Sequence, residues 1–175
     1  MLAERLAPEQ IAVLNAGISG ARLLHDKVGA KVADRLGRDV LDQPGVRTMI
    51  GLIGINDIAW PGTEFAPRDP PVRIADLMAG YRDCAARAHA RGVRVIAAAL
   101  TPFEGARPDG PLHGYFSPAK DQRRQAINAW SRSSDLFDAV IDFDAVTRAI
   151  RAIPSGCART WTAATTFTPT TPAIA

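Results

Sequence analysis

The chain has 175 residues, of which 47% are hydrophobic and 22% charged, a balance typical of one globular α/β domain. Its formal charge of +3 comes from scattered arginines rather than a basic run, so it gives no electrostatic case for binding nucleic acid or an anionic membrane. No apolar stretch approaches the roughly 20 residues that a membrane-spanning helix needs. Met1–Leu6 also lacks the apolar centre of a signal peptide, so we expect a soluble domain.

In chain order, the first half alternates helical and strand patterns. A short amphipathic helix is predicted over Met1–Ala7, and a strand over Ile11–Leu14. A glycine-containing turn over Asn15–Gly20 leads into a predicted helix over Ala21–Leu41, whose apolar residues recur at helical spacing. A second strand is predicted over Thr48–Ile53.

The second half continues this alternation, which predicts a parallel sheet with helical connections. Its predicted elements are a loop over Ala59–Pro71, a helix over Val72–Arg91, a strand over Val93–Leu100, a loop over Thr101–Pro118, a helix over Ala119–Ser134 and a strand over Phe137–Phe143.

Two cysteines, Cys84 and Cys157, have no CxxC or CxxH partner, which argues against a disulfide framework or a zinc site. Cys84 is most simply a core thiol. We expect neither a metal nor a cofactor.

Polar residues follow the predicted strand Thr48–Ile53 in the sequence Gly54-Ile55-Asn56-Asp57. A buried parallel strand delivers such residues to a site at its carboxyl end. Together with Asn15-Ala16-Gly17-Ile18-Ser19-Gly20, this segment resembles the second and third sequence blocks of the SGNH, or GDSL, hydrolases. The resemblance covers residues 1–147.

This resemblance implies a three-layer α/β sandwich with a parallel, flavodoxin-like sheet, and an enzyme that cleaves small-molecule esters. In that family a serine attacks the acyl carbon, a histidine acts as base and then acid, and an aspartate orients the histidine. By motif, Gly20 and Asn56 would donate hydrogen bonds to the oxyanion. The alternative is that Gly20 merely permits the turn and Asn56 caps the next segment.

The sequence departs from the family pattern in two places, because it contains neither a Gly-Asp-Ser block nor an Asp-x-x-His block. The chain begins after the position of the first block, so we expect the family's first strand to be missing, neighbouring strand edges to be unpaired and the chain to be inactive as written. Ser19 fails the G-x-S-x-G elbow because Ala21 occupies the final glycine position.

Other candidate residues are given structural roles. We expect His25 to have a surface or core role, since no acidic partner is evident in the sequence, and His113 to lie in a non-catalytic loop. Asp142 and Asp144 end the last predicted strand, where capping and loop roles are expected. A different function stays open, in which the Gly20 turn binds an anionic ligand without catalysis.

The tail, residues 148–175, differs from the domain over residues 1–147 because it is rich in threonine, alanine and proline. It is either a low-complexity tail or a displaced reading frame. Back-translation of Ala158–Ala175 with codons rich in G and C, read one nucleotide earlier, permits Asp-His-Leu-His-Pro, the family's last block. We expect this frame displacement, with the break near Arg148.

Overall fold

The computed structural model describes residues 2–106 and 110–151 of the chain. Three strands are present in this part: β1 (Thr48–Gly51), β2 (Arg94–Ala98) and β3 (Ala139–Ile141). The α-helices are α1 (Leu2–Leu6), α2 (Val32–Leu36), α3 (Ile55–Ala59), α4 (Ile74–His89), α5 (Pro118–Ser133) and α6 (Phe143–Arg151). Short 3₁₀ turns cover Ala7–Glu9 and Gly110–Leu112, and a π-helical turn over Gly37–Leu41 extends α2.

The three strands form one parallel sheet in the order β1-β2-β3. Thr48 pairs with Arg94 at the start of β1, and Ile96 pairs with Ala139 at the start of β3. Helix α4 connects β1 to β2 and packs against β2, while α5 connects β2 to β3 and packs against α4. This arrangement confirms the prediction of an α/β fold with a parallel sheet, whereas the three-layer, flavodoxin-like sandwich stays a prediction.

The predicted strand Ile11–Leu14 is wrong, because this segment has no regular structure. Its apolar side chains are exposed, to 52% at Ile11 and 71% at Leu14. A strand is stabilised by pairing with a neighbour, and no strand of the described residues lies against this segment. Apolar composition alone therefore does not make a strand here.

The predicted helix Ala21–Leu41 is correct only in its second half, since helical structure begins at Val32. Before that point the chain folds back on itself, and the Val32 N–H donates to the Arg22 carbonyl at 3.1 Å. Arg22 also spans this loop, with one nitrogen 2.8 Å from the Asp69 carboxylate and another 2.7 Å from the Asp26 carbonyl. Tertiary bonds thus replace the helical bonds that the periodicity predicted.

Strand β1 lies at one edge of the described sheet and carries apolar surface there. Ile50 is 48% exposed, and Leu52, just beyond the strand, is 53% exposed. An unpaired edge with exposed apolar side chains is a surface on which another strand can pair.

The core lies around α4 and the strands that it covers. Leu77, Ala85 and Ala88 of α4 are fully buried, and Cys84 is 5% exposed, which confirms that it is a core thiol. Burial raises the pKa of the Cys84 thiol to about 11, so this thiol is protonated at neutral pH. Cys157 and most of the predicted tail lie outside the described residues. No helix in the described part of the chain has the length and apolar character to cross a membrane.

Helix α5 is fastened to the end of β2 through Leu100. The Asn128 side chain accepts from the Leu100 N–H and donates to the Leu100 carbonyl, both at 2.8 Å. Arg124 donates to the same carbonyl at 2.9 Å and to the Asp144 carboxylate at 2.6 Å. These buried bonds link the carboxyl end of β2 to helices α5 and α6.

The capping and loop roles expected for Asp142 and Asp144 are correct only for the first. Asp142 accepts from the Ala145 N–H at 3.0 Å, which is a helix-capping bond at the start of α6. Asp144 is instead buried and bonded to three guanidinium groups, those of Arg124, Arg132 and Arg148. Burial alone raises the pKa of the Asp144 carboxyl, but the three arginines outweigh it and hold the pKa at about 2.

We predict that Asp144→Asn lowers the free energy of unfolding at pH 7 by on the order of 3 kcal/mol, because it removes the buried carboxylate on which three guanidinium groups converge and leaves buried Arg124 with Asp121 as its remaining carboxylate partner. Since the native pKa of about 2 lies below the ordinary 3.8, the stability from Asp144 is complete above about pH 4. It is lost as the pH falls towards 2. Urea unfolding at several pH values measures both effects.

The control is Asp76→Asn, which removes an exposed carboxylate paired with Arg73. Such a surface pair contributes little to stability, because solvent screens the attraction between its charges. Equal losses for the two variants, or an acid response of Asp144→Asn identical to that of the wild type, would contradict the assignment.

Candidate active site

The segment that follows β1 reverses direction within a few residues. Gly54 adopts a φ of 108° and precedes α3 directly. A Cβ atom at this position would stand 2.9 Å from the Tyr81 hydroxyl oxygen, and the same hydroxyl donates to the Ile53 carbonyl. Glycine is therefore required here both by the backbone angle and by the close approach of Tyr81.

Helix α3 places Asn56 beside the Gly20 turn. The Asn56 Nδ2 donates to the carbonyl of Ala21 at 3.0 Å, which is one residue beyond Gly20. The oxyanion roles that the motifs imply for Gly20 and Asn56 require the two residues to lie close together. This proximity is present although no strand of the described residues precedes the Gly20 turn.

Asp57 fixes the residues that follow the Gly20 turn. The residue is 2% exposed, and its carboxylate accepts from the backbone N–H of Leu23 at 2.7 Å and of Leu24 at 2.9 Å. Burial raises the pKa of the Asp57 carboxyl, and the two backbone amides and Arg22 oppose that rise. The Leu23 and Leu24 amides are therefore occupied by a carboxylate of the protein itself and do not face a ligand. No helix begins at this turn, so the turn has no helix N-terminus to attract an anion.

Gly20 has a φ of 80°, a left-handed conformation that favours glycine. A Cβ atom there would approach Trp60 Cζ2 to 3.2 Å and Val28 Cβ to 3.3 Å. Within the described residues, no hydrogen bond from the Gly20 N–H is present. Gly20 thus combines a tight fit against Trp60 with a backbone donor available for a ligand.

The other candidates lie nearby or at the surface. The His25 side chain is 57% exposed, which confirms the surface alternative, but its Nδ1 lies 3.9 Å from an oxygen of Asp57. That acidic neighbour is not evident from sequence. Ser19 is exposed in the turn, and His113 is exposed in the loop before α5.

A surface cavity of about 580 Å³ does not include the candidate oxyanion donors. Its lining includes Pro102, Phe116 and Arg148, and neither Gly20 nor Asn56 lines it. Within the described ranges, no three His, Cys, Asp or Glu side chains cluster as metal ligands would.

Asp57 is the functional-site residue whose role sequence reasoning missed. It stood beside Asn56 in the motif, but the motif gave it no role. The available signal was a carboxylate just after a strand that the sequence predicts to be buried, a position where an ionised group needs hydrogen-bond donors.

We predict that Asp57→Asn lowers the free energy of unfolding by about 1–3 kcal/mol, because Leu23 and Leu24 bond to different carboxylate oxygens and in asparagine an NH₂ donor replaces one of them, which leaves a backbone N–H unsatisfied. Thermal or urea unfolding measures the loss. The control is Asp26→Asn, since exposed Asp26 accepts from the Lys31 N–H at 2.7 Å and its substitution should change stability by about 0.5 kcal/mol or less. Equal losses of stability in the two variants would contradict the assignment that Asp57 holds the Leu23 and Leu24 amides.

Comparison with protein families gives a match over nearly the whole chain. Residues 1–166 match the model of the GDSL-like Lipase/Acylhydrolase family. A search of the curated proteins finds no match. The family match agrees with the resemblance carried by the Gly20 and Asn56 segments, and with the parallel sheet of the α/β fold. The chain therefore belongs to the GDSL-like lipase/acylhydrolase family.

Proposed function

We propose that this chain forms the oxyanion-binding part of an ester hydrolase, with the Gly20 N–H and the Asn56 Nδ2 as donors. The observation that carries the proposal is the 3.0 Å bond from Asn56 Nδ2 to the Ala21 carbonyl, which holds the side chain against the Gly20 turn. A primary amide has two N–H donors. One is used by Ala21, and the second is left for an acyl oxygen.

Such donors act on the charge that develops when a nucleophile attacks an ester carbonyl. The carbonyl oxygen becomes an anion, and fixed hydrogen bonds stabilise it without reorganisation during the reaction. The Gly20 N–H is fixed by the left-handed turn, and the Asn56 amide by its contact with Ala21. The substrate class we propose is a small-molecule ester.

The remaining catalytic groups are not among the 175 residues, because the sequence contains neither Gly-Asp-Ser nor Asp-x-x-His. In a serine hydrolase without its triad, the oxyanion hole and substrate binding alone retain a rate enhancement of only on the order of 10³–10⁴ over the reaction in water. We therefore propose that the chain by itself hydrolyses esters far more slowly than an intact serine hydrolase, by no more than this residual factor above the background rate.

We predict negligible hydrolysis of p-nitrophenyl acetate by the purified chain, measured as release of p-nitrophenol. Ser19→Ala should leave this rate unchanged, because Ser19 lies in an exposed turn that fails the nucleophile-elbow pattern. Family-level turnover that Ser19→Ala abolishes would make Ser19 the nucleophile and overturn this part of the proposal.

A second prediction concerns the gene. Nucleotide sequence from upstream of Met1 to the stop codon should encode a Gly-Asp-Ser block before the chain and Asp-His-Leu-His-Pro in the displaced frame after Arg148. An enzyme with both blocks restored should hydrolyse esters, and Asn56→Ala should lower its kcat by roughly 10² or more. Gln125→Ala, which removes a surface amide bonded to Asp121, is the control and should leave kcat unchanged.

Two results would contradict that prediction separately. Codons that do not give Asp-His-Leu-His-Pro in the displaced frame would end the frame hypothesis. A restored enzyme whose kcat is the same with and without the Asn56 side chain would end the oxyanion assignment.

A further inference from the structure

The Asn56 side chain has a second partner, which lies far away in sequence. The hydroxyl of Tyr115 donates to Asn56 Oδ1 at 2.9 Å, across 59 residues of chain. The other end of the same amide donates to the Ala21 carbonyl at 3.0 Å. The amide is therefore held at its oxygen and at its nitrogen by two different segments.

These two contacts select the same orientation of the amide. A backbone carbonyl only accepts hydrogen bonds, so Ala21 requires the nitrogen of Asn56 on its side. The Tyr115 hydroxyl is then left facing the oxygen, to which it donates. An amide flipped by 180° would present its oxygen to the Ala21 carbonyl and lose that bond.

The phenol of Tyr115 is itself held in place. Its ring packs edge to face on Phe103, with centroids 5.7 Å apart and planes at 90°, and Phe103 is 7% exposed. Lys120 ties the adjacent residue down, because its Nζ donates to the Gly114 carbonyl at 2.6 Å and to the Ala59 carbonyl at 2.7 Å. Since Ala59 ends α3, Lys120 joins the Tyr115 loop to the helix that carries Asn56.

We propose that Tyr115 is a positioning residue for the oxyanion-binding amide of Asn56. It binds Oδ1, so that one Nδ2 hydrogen goes to Ala21 and the other is free for the acyl oxygen. This inference rests on the proposed function, because it assigns Tyr115 a role in the same site. A fixed amide donor is worth more to the transition state than one that rotates, since no reorganisation is needed.

The test uses the wild-type chain, Tyr115→Phe and the matched control Tyr81→Phe. Both variants delete one phenol oxygen, but Tyr81 donates to the Ile53 carbonyl and not to Asn56. Nuclear magnetic resonance follows the Asn56 side-chain NH₂ signals and their exchange with water. We expect Tyr115→Phe to speed that exchange about 2- to 10-fold, the loss of one hydrogen bond, and Tyr81→Phe to leave it near the wild-type value.

Sodium acetate then serves as a small anionic probe of the oxyanion donors. In the wild type, acetate should shift the Gly20 N–H and the Asn56 NH₂ signals, and Tyr115→Phe should weaken the effect on Asn56 by a similar factor. If acetate shifts both signals but Tyr115→Phe behaves as the wild type in exchange and titration, the role of Tyr115 is overturned and the proposed function stands. If acetate shifts neither signal in the wild type, the oxyanion assignment fails, and the role of Tyr115 fails with it.

Discussion

The Asp57 carboxylate and its bonds to the Leu23 and Leu24 amides are the interaction on which the site depends. Asp57 lies in the first turn of α3, where burial raises its pKa and favours loss of its charge. Two short backbone bonds oppose that cost and attach the segment after Gly20 to α3. Asn56 is the neighbouring residue and bonds to the Ala21 carbonyl. The first turn of α3 therefore bonds to three backbone groups of the same loop, which are the Ala21 carbonyl and the Leu23 and Leu24 amides.

This attachment explains how a loop without regular structure presents a defined set of donors. Gly20 has few bonds of its own and rests on Trp60 in a left-handed conformation. Its position therefore depends on contacts made by the residues just after it. On the other side of Asn56, Tyr115 and Lys120 connect the loop before α5 to the same helix. Helix α3 is thus the junction of two loops, and the polar groups of the site meet at its first turn.

Sequence reasoning succeeded where a pattern had a local cause. Strands β1 and β2 and helices α4 and α5 were placed within a few residues, because apolar strands and amphipathic helices there alternate between clear turns, whereas the short helix α3 was not predicted. Asn56 was identified through a motif, and Gly20 through the spacing of the preceding block. Both identifications rested on resemblance, and their chemical roles stay proposals.

The failures share a physical cause, which is that tertiary partners decided the structure. Ile11–Leu14 has the composition of a strand but pairs with nothing in the described part of the chain. Leu23 and Leu24 fit a helical stripe, yet their amides bond to Asp57 instead of to a preceding turn. The contact of Tyr115 with Asn56 joins residues far apart in sequence, so no local spacing could have revealed it.

The most direct test of this account is the hydrogen exchange of backbone amides in the loop after Gly20, measured residue by residue in the wild-type chain. If Asp57 holds this loop, the Leu23 and Leu24 amides should exchange on the order of tenfold more slowly than the adjacent His25 amide, as one net hydrogen bond of about 1.4 kcal/mol requires. Exchange of Leu23 and Leu24 as fast as that of His25 would show that the carboxylate does not hold the loop, and would remove the physical basis for the site.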